Sequence, residues 1–251
     1  MKFEKLLKAL APIAIMAIAG GLAACDGARM TFNGDEDVPL VELDLSGDPP
    51  TEVASFGPDT VDVRTGESLA IEVEGSSEAK DRMRFVRDGE SLGILRANGD
   101  WDDNEIATVT VTMPAPRKLT VGGSGTLTAA EQAGDGELNV LGSGKLMVGR
   151  VRAETLKVNI AGSGDLSAAG TADVLELNIA GSGSADLGGL KTPQADVNIA
   201  GSGDATFASD GEVKANVVGS GDVTVRGSAR CTVNSVGSGS LTCEREAEPA
   251  E

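Results

Sequence analysis

The triplet Gly-Ser-Gly begins at Gly123, Gly142, Gly162, Gly181, Gly201, Gly219 and Gly237, in steps of 18 to 20 residues. No other feature of the chain restricts its fold as tightly. A fixed period near 20 residues describes a stack of small units, each burying its face on its neighbours. Aligned on the first glycine, apolar residues stand four and two positions before it, as in Leu138/Val140, Val158/Ile160, Leu177/Ile179 and Val197/Ile199. They recur four and six positions after it, as in Leu146/Val148, Leu166/Ala168 and Val223/Val225. Both arms alternate with period two, the pattern of a strand with one buried face. No arm has a helical period. Each repeat therefore reads as two short strands joined by a glycine corner. The chain is predicted to be all-β, a single-stranded parallel β-helix, or solenoid. Equivalent residues in successive coils would lie about 4.8 Å apart, so seven coils would extend about 34 Å.

Two further elements repeat with the corner. The corner glycines supply a positive φ without steric cost and let successive turns stack without Cβ crowding. Three positions ahead of each triplet stand Asn139, Asn159, Asn178, Asn198, Asn216 and Asn234, with Thr120 in the first repeat. Strand alternation points them away from the Val/Ile columns. Stacked amides can bond donor to acceptor along the axis, so the column reads as a structural ladder. A row of amides docking a flat glycan is the alternative.

Composition removes several function classes. The chain has no His, so neither a His-based nucleophile relay nor His-ligated zinc can be built. Its net charge is −18, which argues against nucleic acid as a partner. A phosphate cradle is one glycine loop opening a helix, whereas here seven such loops lead into strands. The nine-residue calcium-binding repeat has half this period. No cofactor is implied. One weak metal candidate is the pair Asp204 and Asp222, neighbours just past their corners, whose carboxylates repel unless something positive sits between them. Two solvated turn aspartates are the simpler reading.

The termini differ from the repeats. Lys2, Lys5 and Lys8 precede an apolar run from Leu10 to Gly21, followed by Leu22-Ala23-Ala24-Cys25. That layout reads as a signal peptide over residues 1–24, and Leu-Ala-Ala-Cys resembles the lipobox of bacterial lipoproteins, with Cys25 as the lipidated residue. Without residues 1–24, which hold Lys2, Lys5, Lys8 and Glu4, the net charge of −18 becomes −20. The chain is thus expected to be exported and lipid-anchored in the cell envelope, facing either periplasm or surface. Residues 25–37 read as a flexible tether, 38–118 as irregular β-coils capping the stack, 119–243 as regular coils, and 244–251 as an acidic disordered tail. Strand patterns in the irregular part are Val41–Gly47, Val61–Gly66, Leu69–Gly75, Leu92–Leu95 and Ala107–Pro114. Trp101 would either pack as a cap into the end of the solenoid or stand exposed as a contact residue. Cys231 and Cys243 stand six residues either side of the last corner glycine, both in inward columns. In an exported protein they should form a disulfide, provided their Cα atoms approach within about 7 Å.

An irregular β segment, a Pro116-Arg-Lys-Leu119-Thr-Val121 step and repeated Val-x-Ile-x-Gly-Ser-Gly-Asp coils together resemble the putative auto-transporter adhesin, head GIN domain family. The resemblance covers roughly residues 38–243. It implies a β-helical fold outside the cytoplasm and supplies no catalytic residues. The expected function is a non-catalytic envelope lipoprotein, an adhesin or binding scaffold, with envelope glycans or proteins as partners and the membrane reached through the lipid. The alternatives are a polysaccharide-active enzyme, with Asp165 beside Lys145 as its nearest candidate pair, and a structural protein that self-assembles through its sheet edges.

Overall fold

The structure, a computed structural model, describes residues 31–32, 35–97 and 105–244. The signal segment, Cys25, Trp101 and the chain beyond Glu244 lie outside the described residues. Strands β1 (Thr31–Phe32) and β2 (Asp35–Glu36) form a short antiparallel pair. Strands β3 (Glu52–Gly57) and β4 (Thr60–Thr65) are the two arms of a first coil. Next come β5 (Ala70–Glu74), helix α1 (Ser77–Arg82), β6 (Met83–Asp88), β7 (Ser91–Arg96) and β8 (Thr108–Met113). The regular coils follow as β9 (Lys118–Gly123), β10 (Thr126–Ala133), β11 (Gly136–Gly142), β12 (Lys145–Gly162), β13 (Asp165–Gly181), β14 (Ser184–Lys191), β15 (Gln194–Gly201), β16 (Asp204–Ala208), β17 (Glu212–Gly219), β18 (Asp222–Arg226), β19 (Arg230–Gly237) and β20 (Ser240–Glu244).

These strands form a parallel β-solenoid of about seven turns. Arms ahead of the corners stack as β9, β11, β12, β13, β15, β17 and β19, and every step sets one corner glycine on the next, from Gly123 on Gly142 to Gly219 on Gly237. The arms after the corners stack in the same register, from β10 on β12 to β18 on β20. Strands β12 and β13 run through both an after-corner arm and the next coil's leading arm. The bend between the two arms falls at register shifts, such as that between Val148 and Val151, where a bulge turns the strand without breaking it.

The columns expected to face inward form the core. Leu138, Val140, Val158, Ile160, Leu177 and Ile179 are fully buried, and so are Leu127, Leu146, Val223 and Val225 across from them. Adjacent columns compensate in volume: Leu166 stands beside Ala168, whereas Ala185 stands beside Leu187 and Ala205 beside Phe207. That exchange keeps the packing dense with few rings.

The corners need glycine for two reasons. Gly142 has φ +112°, and a Cβ there would sit 2.7 Å from the carbonyl oxygen of Gly123. The corner backbone is itself laddered: Ser143 N–H donates to Gly123 O at 2.9 Å, and Lys145 N–H to Gly125 O at 2.9 Å.

The irregular coils do not stack in chain order. Strand β3 pairs with β9 on one edge and β7 on the other, and β4 lies likewise between β10 and β8. The first coil in sequence is therefore the second level of the stack, with the β7–β8 coil beyond it. Antiparallel strands β5 on β8 and β6 on β7 then finish that end. From β8 the chain must pass the first coil to reach β9. Pro114 and Pro116 carry it, and their missing N–H groups keep the segment out of the ladder.

Two expectations are corrected. Val41–Gly47 alternates but is no strand: it holds part of a 3-10 turn at Leu40–Glu42, and Val41 is 92% exposed. Helix α1 was not foreseen, although Ser76 caps it by accepting the Ala79 N–H at 3.1 Å, and Arg82 pairs with Glu78 one turn back at 2.5 Å. Among the described residues no helix is long and apolar enough to cross a membrane.

Candidate functional site: the outward faces of the solenoid

The leading-arm sheet presents three parallel columns outward. In the central one each Asn donates from Nδ2 to the Oδ1 of the Asn below: Asn159 to Asn139 at 2.9 Å, Asn178 to Asn159 at 3.1 Å, Asn198 to Asn178 at 3.2 Å, Asn216 to Asn198 at 3.0 Å and Asn234 to Asn216 at 3.2 Å. Asn139 ends the run on Thr120 Oγ1 at 3.3 Å. From Asn139 to Asn216 each amide thus both donates and accepts within the column. Asn139 and Asn198 also reach the carboxylates of Glu137 and Asp196. Asn139, Asn159 and Asn178 are buried although they face outward, because the two flanking columns wall them in.

One flanking column largely alternates in charge. Along the stack it reads Glu52, Lys118, Glu137, Lys157, Glu176, Asp196 and Lys214. Lys118 Nζ lies 4.0 Å from Glu52 and 3.7 Å from Glu137, and Lys157 Nζ lies 3.9 Å from Glu176. The other flank is small and apolar, with Leu141, Ala161, Ala180, Ala200 and Val218. At its start the ring of Phe56 occupies the space a Cβ on Gly122 would need. Counting β7 and β3, nine strands build this face, which at about 4.8 Å per spacing extends about 38 Å.

The other sheet carries the acidic positions past the corners. Lys145 and Asp165 are ladder partners, and Asp165 Oδ1 accepts the Ser184 hydroxyl at 2.6 Å. Asp204 Oδ1 accepts the backbone N–H of Asp222 at 2.9 Å. Asp222 in turn accepts Ser240 N–H at 3.1 Å and its hydroxyl at 2.6 Å. Each carboxylate thus holds the start of the next coil's arm instead of turning toward its neighbour. Among the described residues no three His, Cys, Asp or Glu side chains gather where a metal could be held. Asp210 repeats the device on Ser228, whose N–H and hydroxyl both lie 2.9 Å away. The N–H bond first and the hydroxyl second hold the Asp210 carboxyl below its ordinary value.

At the N-terminal end an open cleft of about 770 Å³ is lined by Val38, Leu43, Phe85, Glu42, Glu90 and Arg87, among others. The Arg87 guanidinium donates to the carbonyls of Asp44 at 2.8 Å, Ser46 at 2.6 Å and Asp48 at 2.6 Å, which folds the 44–48 loop around a cation. Hydrogen bonds from the Ser46 side chain and N–H, with Arg87 nearby, lower the Asp44 pKa. At the opposite end Cys231 and Cys243 form a disulfide with a Cα–Cα distance of 6.7 Å, closer than the roughly 10 Å between packed sheets.

Several residues escaped the sequence reading. Gly57 has φ +121° and stacks on Gly123, so the glycine column begins one coil before the first Gly-Ser-Gly. The signal was present: Val53 stands four before Gly57, and Val61 and Val63 four and six after. At this corner Asp59 is 2% exposed and holds Arg96, 5% exposed, through two 2.5 Å bonds. Asp59 Oδ1 also accepts the Ala107 N–H at 2.8 Å, and Arg96 donates to the Glu105 carbonyl. The Asp59 bonds raise the Arg96 pKa against the opposing effect of burial.

The sequence matches the family described as "Putative auto-transporter adhesin, head GIN domain" over residues 49–229. No curated protein matches the sequence. The fold is similar to that of a putative adhesin from Bacteroides fragilis, with TM-score 0.71 and 17% identity over 78% of this chain and 93% of that one. It is similar also to a putative lipid binding protein from Parabacteroides distasonis, with TM-score 0.61 and 21% identity over 79% of this chain and 94% of that one. A putative adhesin from Parabacteroides merdae superposes with TM-score 0.60 and 17% identity over 78% and 92% of the two chains.

Proposed function

Because the chain belongs to the putative auto-transporter adhesin, head GIN domain family, we propose that it is a non-catalytic protein of the bacterial cell envelope, anchored by lipid at Cys25, that binds envelope glycans or proteins through its solenoid. The observation that carries this reading is the outward face of the leading-arm sheet: a strip about 38 Å long whose centre holds stacked amides from Asn139 to Asn234 over about 24 Å, with a largely alternating charge column on one side and small apolar residues on the other. Such a strip offers hydrogen bonds and ion pairs to an extended partner without a cleft to enclose it. Its backbone is laddered on both edges through most of its length, so its groups hold still before a partner arrives, and binding need not order them. The disulfide supports an exported location.

The test is a glycan array and an envelope pull-down with the full-length protein. A specific hit is expected. It should be lost when Lys157→Glu and Glu176→Lys invert the charge column, because both side chains are half-exposed and the fold survives the exchange. A hit indifferent to both variants refutes the assignment to this face. Glycan cleavage abolished by Asp165→Ala would replace the non-catalytic reading with the enzymatic one. Incorporation of a labelled fatty acid that disappears in Cys25→Ala tests the anchor.

A further inference from the structure

The two ends of the solenoid are built differently. The N-terminal end finishes in the reversed strands β5 and β6 beside helix α1, with outer edges blunted by charge. Charged side chains line it: Glu72, Glu74, Arg84, Arg87 and Asp88. The C-terminal end is open among the described residues. Strand β19 ladders only with β17 and β20 only with β18, so each presents one unpaired backbone edge. Val233 is 46% and Val236 70% exposed there.

Open, flat edges invite pairing, and proteins normally blunt them with charge or proline. This edge is charged only at its two extremes, Arg230 at the start of β19 and Glu244 at the end of β20. From Cys231 to Cys243 the sequence reads Cys-Thr-Val-Asn-Ser-Val-Gly-Ser-Gly-Ser-Leu-Thr-Cys, without one charged residue. The coil directly beneath carries Glu212, Lys214, Asp222 and Arg226. On a chain of net charge −18, this end is where two copies can meet without the repulsion that their other surfaces impose. The disulfide ties β19 to β20 and fixes the relative position of the two edges before any partner arrives.

We infer that the C-terminal coil is an interface for a second copy of this chain, end to end about a two-fold axis, with β19 pairing antiparallel to its counterpart and β20 to its own. The symmetry is isologous and therefore closed. Because the other end is blunted by charge, association stops at the dimer and no filament grows. The exposed Val233 and Val236 become shared between the copies, and the free backbone groups of both edges find partners. Residues 245–251 offer only Ala247, Pro249 and Ala250 as apolar side chains for this end. About 15 residues a side is below the 20–30 of a standard interface, so the dimer is weak and reversible. This interface does not depend on the identity of the envelope ligand.

Sedimentation equilibrium of the exported full-length chain carrying Cys25→Ala, from micromolar to sub-millimolar concentration, reads the association directly. A monomer–dimer equilibrium is expected. Val236→Lys, at an exposed outward position, should weaken it about tenfold or more, since like charges then face each other across the axis. Val233→Lys serves as an independent second variant, and circular dichroism verifies that both remain folded. A monomer at every concentration, a dimer indifferent to both lysines, or growth into filaments would each overturn the inference.

Discussion

Replacing Asn159 by alanine probes the amide ladder at its most buried rung. Asn159 is 4% exposed, and Asn139 and Asn178 on either side are 8% exposed. The substitution removes the 2.9 Å bond to Asn139 Oδ1 and the 3.1 Å bond from Asn178 Nδ2. An acceptor is left stranded on one neighbour and a donor on the other. A net hydrogen bond contributes about 1 kcal/mol, and a buried group left unpaired costs about 1–3 kcal/mol. The two broken contacts together should therefore cost about 2–4 kcal/mol. Asn234→Ala makes the matched control at the exposed end of the same column. It removes a single 3.2 Å bond, water replaces the partner, and the cost should stay below about 1 kcal/mol. With an m-value of about 2 kcal/mol/M in urea, the Asn159 variant should unfold about 1–2 M earlier than the parent, and the Asn234 variant within about 0.5 M of it. Equal shifts at the two positions would refute the burial gradient. An unshifted Asn159→Ala protein that has lost a glycan hit would refute the ladder itself and turn the column into a binding row.

Gly201→Ala, at φ +132° with its Cβ aimed at the Gly181 carbonyl, should cost about 2–4 kcal/mol in a thermal melt, whereas Gly89→Ala, at φ +52° in open space, should cost about 1 kcal/mol. Asp59→Ala leaves the Arg96 guanidinium buried without its carboxylate and should destabilise by about 3–5 kcal/mol; pairing it with Arg96→Met should recover part of that loss, as double-mutant denaturation will read. Replacing Cys231 and Cys243 together by serine should cost about 3 kcal/mol for the loop they close, with hydrogen exchange accelerated in 230–244 and unchanged around Asn159. The Asp210 contribution has a set sign: its folded pKa lies below that of an ordinary aspartate because Ser228 bonds the carboxylate through its N–H and its hydroxyl, so its stabilisation is complete above the unfolded pKa and disappears as pH falls through the lower folded value. Asp210→Asn should flatten that part of an acid-unfolding curve, and an unchanged curve would refute the assignment.

The regular coils were legible because their contacts repeat at one sequence separation. Between strands β9 to β20 the ladders join residues 18 to 20 apart, except for Lys191 on Ala208 past a register shift, so period, alternation and the glycine corner are three views of one constraint. The same regularity put Cys231 and Cys243 in facing inward columns. It also made the Gly57 corner readable in principle, through Val53, Val61 and Val63, despite Pro58 and Asp59 where Ser and Gly stand elsewhere.

The contacts that fall outside the period had no such trace. Asp59 meets Arg96 across 37 residues, and β3 meets β9 across 66 while enclosed on its other edge by β7. The amino-acid sequence by itself determined the repeating unit: two short strands, a glycine corner, an amide at a set offset and a small aliphatic core. Tertiary structure alone decided the order in which the first coils stack, the burial of an outward amide column behind its flanking side chains, the use of Asp204 and Asp222 as backbone caps, and the contrast between a charge-blunted end and an open one. The physical reason is that a solenoid's interior depends only on its nearest neighbours, whereas its ends and faces depend on what the rest of the chain does, or leaves undone, to cover them.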